Sequence, residues 1–126
     1  MKPNEPTGGK NKELGLPFDK MKKVTVAFDV DGTLIQAMQP DEMMCVANER
    51  IRTLLITLAS FKNIKIVVWS GSGERYARQI AWNIGIHKYV DKYASKSDHA
   101  SIYPDIAIDD IQDTAIGKIN LIVREK

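Results

Sequence analysis

Short apolar runs divide this chain, and most of them end in a polar or acidic residue. They are rich in β-branched residues and only a few residues long, which is typical of strands buried on both faces of a parallel sheet. The runs are Val24–Phe28, Ile64–Trp69, Ile106–Ile108 and Ile119–Val123, with a weaker one at Tyr89–Tyr93.

Between these runs, apolar residues recur every three or four positions, the spacing of a helix with one apolar face. One predicted helix begins at Pro40-Asp41-Glu42, where a proline and two acids suit a first turn, and ends near Ser60. A second covers residues 74–84, and Gly85 stands at its C-terminal end. Alternating strands and helices predict a three-layer α/β domain with a mainly parallel, five-stranded sheet.

Residues 1–22 differ in character from the rest. They contain prolines, glycines and several lysines, with a few apolar residues bunched at Leu14, Leu16 and Phe18. We predict a flexible basic arm there, which either anchors on the domain or touches phosphates. Residues 23–126 form the predicted globular domain.

Length and composition limit the class of protein. A chain of 126 residues with 44% hydrophobic content fits one globular domain. The net charge of +2 is too small to indicate a nucleic-acid binder, and it does not oppose a polyanionic partner. The one cysteine, Cys45, excludes an internal disulfide, and no apolar run is long enough for a membrane span or a signal peptide. A cytoplasmic, unsecreted protein is expected, with no membrane partner.

Acids follow two of the predicted strands. Asp29 and Asp31 come after the first strand, and Asp109 and Asp110 after the fourth. Ligands of open parallel sheets bind beyond the carboxyl ends of the strands, where these acids would meet. Close carboxylates repel unless a cation neutralises them, and oxygen ligands without thiolates favour Mg²⁺.

A glycine-rich turn, Ser70-Gly71-Ser72-Gly73, follows the second strand and precedes the second helix. It directs backbone N–H groups and the positive end of a helix towards the same edge of the sheet. That arrangement is suited to holding a phosphate group.

The sequence Asp29-Val30-Asp31-Gly32-Thr33 resembles the first motif of the haloacid dehalogenase (HAD) superfamily of aspartate-nucleophile phosphatases. Ser70 matches its second motif. Lys96 matches the third, although Lys-Ser-Asp stands where the family has Lys-Pro-Asp, which leaves Lys92 as a rival. Asp109 matches the fourth motif, with Asp110 or Asp113 as its second acid. The resemblance covers roughly residues 22–124 and implies the strand order 5-4-1-2-3.

The resemblance also implies a role for each residue. Asp29 would be the nucleophile, and Asp31 the general acid and base. Catalysis would also use Ser70 and Lys96, and substrate would contact Gly32, Thr33, Ser70, Gly71 and Lys96. The metal ligands would be Asp29, Asp31 through its main-chain carbonyl, Asp109, and Asp110 or Asp113.

Neither insertion site of the family has room here for a cap domain. An open site of this kind suits a large phosphorylated substrate, such as a polynucleotide end or a phosphoprotein, or a lid supplied by a second copy of the chain. We therefore predict a Mg²⁺-dependent phosphatase that forms an aspartyl-phosphate.

Two other classes use similar residues. A receiver-like signalling module would carry its acids in a different order along the chain. A non-catalytic or regulatory module that binds phosphate and Mg²⁺ within an assembly would typically lack one motif acid, and none is missing.

Overall fold

The structure is a computed structural model that describes residues 23–36 and 45–124. The predicted arm at residues 1–22 and the predicted helix start at Pro40-Asp41-Glu42 lie outside the described residues. Five strands are present in the described part: β1 (Val24–Asp29), β2 (Ile64–Ser70), β3 (Lys92–Ser95), β4 (Ile106–Asp109) and β5 (Ile119–Ile122).

The five strands form one sheet in the order β3-β2-β1-β4-β5, and every pair is parallel. Read from the other edge, this is the order 5-4-1-2-3, so the predicted α/β fold is confirmed. The sheet places Asp29 level with Trp69, the residue before Ser70. Asp29, Ser70 and Asp109 therefore end their strands at one edge of the sheet, which we call the carboxyl edge.

In the described ranges three helices accompany the sheet: α1 (Glu49–Ala59), α2 (Glu74–Asn83) and α3 (His99–Ile102). Short 3₁₀ turns lie at His87–Tyr89, Lys96–Asp98 and Gln112–Thr114. The prediction for α2 is confirmed, and Gly85 just beyond it has a φ of 76°, the left-handed conformation that glycine adopts readily. None of the helices in the described ranges is long and apolar enough to cross a membrane.

The first helix begins later than predicted. Residues 45–48 are not helical, because the backbone there pairs with the segment after β1. Ala47 forms a bridge with Ile35, and the Asn48 N–H donates to the Leu34 carbonyl over 2.8 Å. The backbone groups used in this pairing cannot also take part in a helix, so the prediction of one helix from residue 40 to residue 60 was wrong.

The third strand is also displaced from its predicted place at Tyr89–Tyr93. The Asp91 carboxylate accepts a hydrogen bond from the Ile66 N–H over 2.7 Å, and the Asp91 N–H donates to the Ile66 carbonyl over 2.9 Å. These two bonds fix the start of the strand, which runs from Lys92 to Ser95. Lys96 is therefore the first residue beyond the carboxyl end of β3.

The core lies mainly on the face of the sheet that α1 and α2 cover. There Phe28, Val68 and Ile80 belong to one buried cluster with Leu55 of α1. A smaller cluster, which includes Val67 and Trp69, lies on the other face, as the alternation of side chains along a strand requires. This packing on both faces holds β1 rigidly, and β1 carries Asp29.

Candidate functional site

Asp29 ends the central strand and is only 7% exposed. The Thr33 hydroxyl donates a hydrogen bond to Asp29 Oδ2 over 3.0 Å. Thr33 is fully buried, so its hydroxyl holds the Asp29 carboxylate in position. The tight turn that brings Thr33 back also needs Gly32, whose φ is 81° and where a Cβ atom would overlap the Asp110 carboxylate.

Two acids after β4 approach Asp29. Asp109 is 2% exposed, and its carboxylate accepts hydrogen bonds from the Ile111 N–H (3.0 Å) and the Thr114 hydroxyl (3.2 Å). Carboxylate oxygens of Asp29, Asp109 and Asp110 all lie within 4.8 Å of one another. We call these three residues the acidic cluster.

Asp113 does not belong to the acidic cluster, because it lies exposed in the 3₁₀ turn Gln112–Thr114. The sequence left Asp110 and Asp113 as equal candidates for the second acid of the fourth motif. The structure brings Asp110 to Asp29 and Asp109 and leaves Asp113 outside the cluster.

Lys96 reaches the acidic cluster from the end of β3. Its ammonium lies 2.7 Å from Asp29 Oδ1 and hydrogen-bonds to Asp109 Oδ2. Burial alone would lower the pKa of Lys96, but its hydrogen bonds to the two carboxylates outweigh burial and raise that pKa above its ordinary value. The rival Lys92 is exposed at the opposite end of β3.

The acidic cluster holds more negative charge than Lys96 can neutralise. Burial raises the pKa of Asp29, although its contact with Lys96 opposes this. Burial, followed by hydrogen bonding with Asp29 and Asp109, raises the pKa of Asp110 to about 6. A cation held by all three carboxylates would relieve the repulsion between their negative charges. The donor set consists of hard oxygens and could bind a metal ion.

The raised pKa predicts how stability depends on pH when metal is removed with EDTA. The pKa of Asp110 is about 6 in the folded protein against an ordinary value of 3.8, so the folded state holds this proton more tightly. The stabilisation is present below pH 3.8 and is lost as pH rises through 6. Asparagine resembles the protonated acid at every pH. Asp110→Asn should therefore raise the melting temperature relative to wild type at pH 7 and change it little at pH 4.

Differential scanning fluorimetry with and without Mg²⁺ checks this prediction. If the acidic cluster holds a metal ion, the added Mg²⁺ should stabilise wild type at pH 7 and stabilise Asp110→Asn less, because the variant lacks one of the three carboxylates. Asp113→Asn is the matched control and should behave as wild type in both series. If the melting temperatures of wild type and Asp110→Asn differed by the same amount at pH 4 and pH 7, the raised pKa of Asp110 would be contradicted.

Ser70 ends β2 and is 3% exposed. Its hydroxyl oxygen accepts a hydrogen bond from the Ser72 N–H over 2.9 Å, which leaves its own hydrogen as a donor. The Gly73 N–H donates to the Ser70 carbonyl over 3.1 Å and closes a tight turn before α2, and Gly71 lies exposed in that turn. Ser70, Gly71 and the start of α2 therefore lie at the carboxyl edge, as predicted.

Asp31 is exposed, and its carboxylate is not part of the acidic cluster. It accepts a hydrogen bond from the Tyr76 hydroxyl over 2.6 Å. Burial raises the pKa of Tyr76, and this bond to Asp31 raises it further, so the phenol stays protonated and acts as the donor. Sequence reasoning missed Tyr76, although its place in the first turn of α2, just after the glycine-rich turn, could have indicated it.

No protein-family model matches the chain, and no curated protein matches it. The class of protein is therefore defined by fold and site. This is an α/β domain with a parallel sheet whose carboxyl edge carries an acidic cluster, a lysine and a glycine-rich turn.

Proposed function

We propose that this protein is a Mg²⁺-dependent phosphatase of the HAD type, which hydrolyses a phosphate monoester through an aspartyl-phosphate. The observation that carries the proposal is the meeting of Asp29, Asp109, Asp110 and Lys96 at the carboxyl edge. These residues lie on three different strand ends, and each had been singled out by its resemblance to a family motif. The cytoplasm is the proposed location.

The acidic cluster would hold the metal. Asp29, Asp109 and Asp110 supply carboxylate oxygens, and the resemblance adds the main-chain carbonyl of Asp31. When bound, Mg²⁺ would neutralise negative charge on the cluster and on the phosphoryl oxygens. The remaining chemistry belongs to side chains of the chain itself.

Asp29 is held as a nucleophile must be. Thr33 fixes one carboxylate oxygen and Lys96 contacts the other, so the group cannot rotate freely. A carboxylate oxygen attacks phosphorus, the bond from phosphorus to the ester oxygen breaks, and the ester oxygen takes the electron pair. Asp31 protonates that oxygen, then removes a proton from the water that hydrolyses the aspartyl-phosphate.

The phosphoryl group needs donors and positive charge around it. Lys96 supplies the charge, and the Ser70 hydroxyl and the backbone N–H groups in the first turn of α2, just after Gly71, supply donors. Lys96 contacts two carboxylates, so it can shift towards a phosphoryl oxygen while keeping at least one of them as a partner.

The substrate would be large. Between Ser70 and Lys96 the chain forms only α2, one 3₁₀ turn and β3. The link from Thr33 to α1 is longer than predicted and spans residues 34–48, of which 37–44 lie outside the described residues. It is still far shorter than a domain. A polynucleotide end or a phosphoprotein fits an open site of this kind, and a second copy of the chain could supply a lid.

Turnover of p-nitrophenyl phosphate tests the proposal. We expect release of p-nitrophenolate with Mg²⁺, none with EDTA, and recovery when Mg²⁺ is restored. An Asp113→Asn control should keep the wild-type rate. Mg²⁺ binding without turnover of any phosphate ester would reject the phosphatase and favour the non-catalytic module.

The contact between Tyr76 and Asp31 predicts a dependence on the leaving group. Alkyl phosphates need protonation of a poor leaving group, whereas p-nitrophenolate leaves readily without it. Asp31→Asn should therefore slow turnover of an alkyl phosphate much more than that of p-nitrophenyl phosphate, while Mg²⁺ binding is largely kept. Tyr76→Phe removes only the hydrogen bond that orients Asp31, so its effect should be up to about tenfold and in the same direction.

Steady-state kinetics on both substrates measure this effect. Equal losses on the two substrates would show that Asp31 is not the proton donor. Loss of Mg²⁺ binding in Asp31→Asn would show that its carboxylate, and not only its main chain, serves the metal.

A further inference from the structure

A groove runs along the side of the domain between α2 and β3. Its volume is about 510 Å³, and its lining includes Glu74, Arg78, Trp82, His87, Lys92 and Tyr93. The phosphatase mechanism uses none of these residues.

The groove begins beside the proposed phosphate-binding turn. Glu74 is the first residue of α2 and directly follows Gly73. Arg78 and Trp82 follow at intervals of four residues, so all three lie along one side of the helix. Trp82 therefore lies about 12 Å along the helix from Glu74 and the carboxyl edge, since a helix rises about 1.5 Å per residue.

The far end of the groove presents a flat aromatic surface. The rings of Trp82 and His87 stack with centroids 3.5 Å apart and an angle of 8° between their planes. Trp82 is nevertheless 59% exposed, because His87 covers only one face of the indole. The other face is therefore open to a planar ligand.

Two bases, Arg78 and Lys92, and two acids, Glu74 and Asp91, line the groove. The Asp91 carboxylate is held by a hydrogen bond from the Ile66 N–H. Arg78 lies over the Tyr93 ring, 4.5 Å from its centroid, and pairs with Glu74 over 3.1 Å, which offsets the acid. Lys92 is exposed and makes no ion pair with any residue that the structure describes. Lys92 is therefore free to meet an anionic ligand.

We propose that this groove binds a single-stranded nucleic acid, with a base stacked on Trp82 and backbone phosphates near Lys92 and Arg78. The terminal phosphate of the same nucleic acid would occupy the site at Asp29, and this part of the inference rests on the proposed function. About three stacked nucleotides, at 3.4 Å each, span the distance from the carboxyl edge to Trp82.

The stacked aromatic pair favours a nucleic acid over a phosphopeptide. Every base has a flat face that stacks on an aromatic side chain regardless of sequence, and single-strand binding sites combine such stacking with cationic side chains. Most peptide side chains have no comparable face.

The test measures the affinity of a fluorescently labelled oligothymidylate of about eight nucleotides, a length typical of single-strand sites, that carries no terminal phosphate. Trp82→Ala should weaken binding at least about tenfold, because stacking on one aromatic residue contributes about that much. Trp82→Phe should weaken binding less. Phe61→Ala is the matched control, since Phe61 is an aromatic residue that is 50% exposed but does not line the groove, and it should bind as wild type.

Circular dichroism confirms that each variant is folded. Equal affinities of wild type and Trp82→Ala, or no binding by wild type, would overturn the groove assignment. So would a phosphoserine peptide whose binding requires Trp82 while that of the oligonucleotide does not.

The probe has no phosphate monoester, so its binding is independent of turnover. Binding that requires Trp82, without hydrolysis of p-nitrophenyl phosphate, would keep the groove assignment and reject the phosphatase. Hydrolysis of p-nitrophenyl phosphate without binding of the oligothymidylate would reject the groove assignment and keep the phosphatase.

Discussion

Asp29→Asn is expected to abolish turnover of every phosphate ester that the wild-type protein hydrolyses. An amide cannot attack phosphorus, so no aspartyl-phosphate can form. Loss of at least about a thousandfold in kcat corresponds to about 4 kcal/mol of transition-state stabilisation. The fold should persist, because the change is nearly isosteric and the amide oxygen can still accept the hydrogen bond from Thr33.

Phosphate release and acid-quench trapping of a labelled intermediate measure this effect. Wild type should show an acid-stable, base-labile phosphoryl group, and Asp29→Asn should show none. A melting temperature near that of wild type would show that the loss is chemical. Rates within tenfold of wild type would rule out Asp29 as the nucleophile.

The strand ends were predictable because simple rules determine them. Short runs of β-branched residues marked four of the five strands, and the acids or the serine after three of them favoured a site at the carboxyl edge. Asp29, Ser70 and Asp109 were found in this way, and the structure places all three at one edge. The strand order came from the family resemblance, because the pattern of one sequence does not say which strands pair.

Element boundaries were less predictable, since tertiary hydrogen bonds decide them. The apolar spacing of residues 45–48 fits a helix, yet that backbone pairs with the segment after β1. Asp91 likewise fixes the start of β3 through two bonds to Ile66. Neither partner is near in sequence, so no local pattern could have indicated either contact.

Side-chain contacts at the site were also beyond the sequence. Tyr76 and Asp31 are separated by 45 positions and belong to different elements. Thr114 supports Asp109 from a turn for which no helix or strand was predicted. The choice between Asp110 and Asp113 depends on how the chain turns after β4, and two nearby acids of the same type do not reveal that direction.

The third strand matters most for the proposed chemistry, because its end decides which lysine reaches Asp29. With β3 ending at Ser95, Lys96 is the first residue beyond the carboxyl end. Lys92 begins the same strand, about 13 Å away at 3.3 Å per residue. The two lysines differ in position along one strand and share their chemistry, so they form a matched pair.

Lys96→Ala is expected to lower kcat/KM for p-nitrophenyl phosphate at least a hundredfold, about 2.7 kcal/mol of transition-state stabilisation. A phosphate dianion approaching Asp29 meets the charge of three carboxylates, and Lys96 is the cation that contacts two of them. Lys92→Ala should change the same kcat/KM less than threefold, since this small substrate does not extend into the groove beside α2. Steady-state kinetics in saturating Mg²⁺ compare the two variants. The opposite ranking would move the third motif to Lys92 and leave the ion pair between Lys96 and Asp29 as a structural contact only.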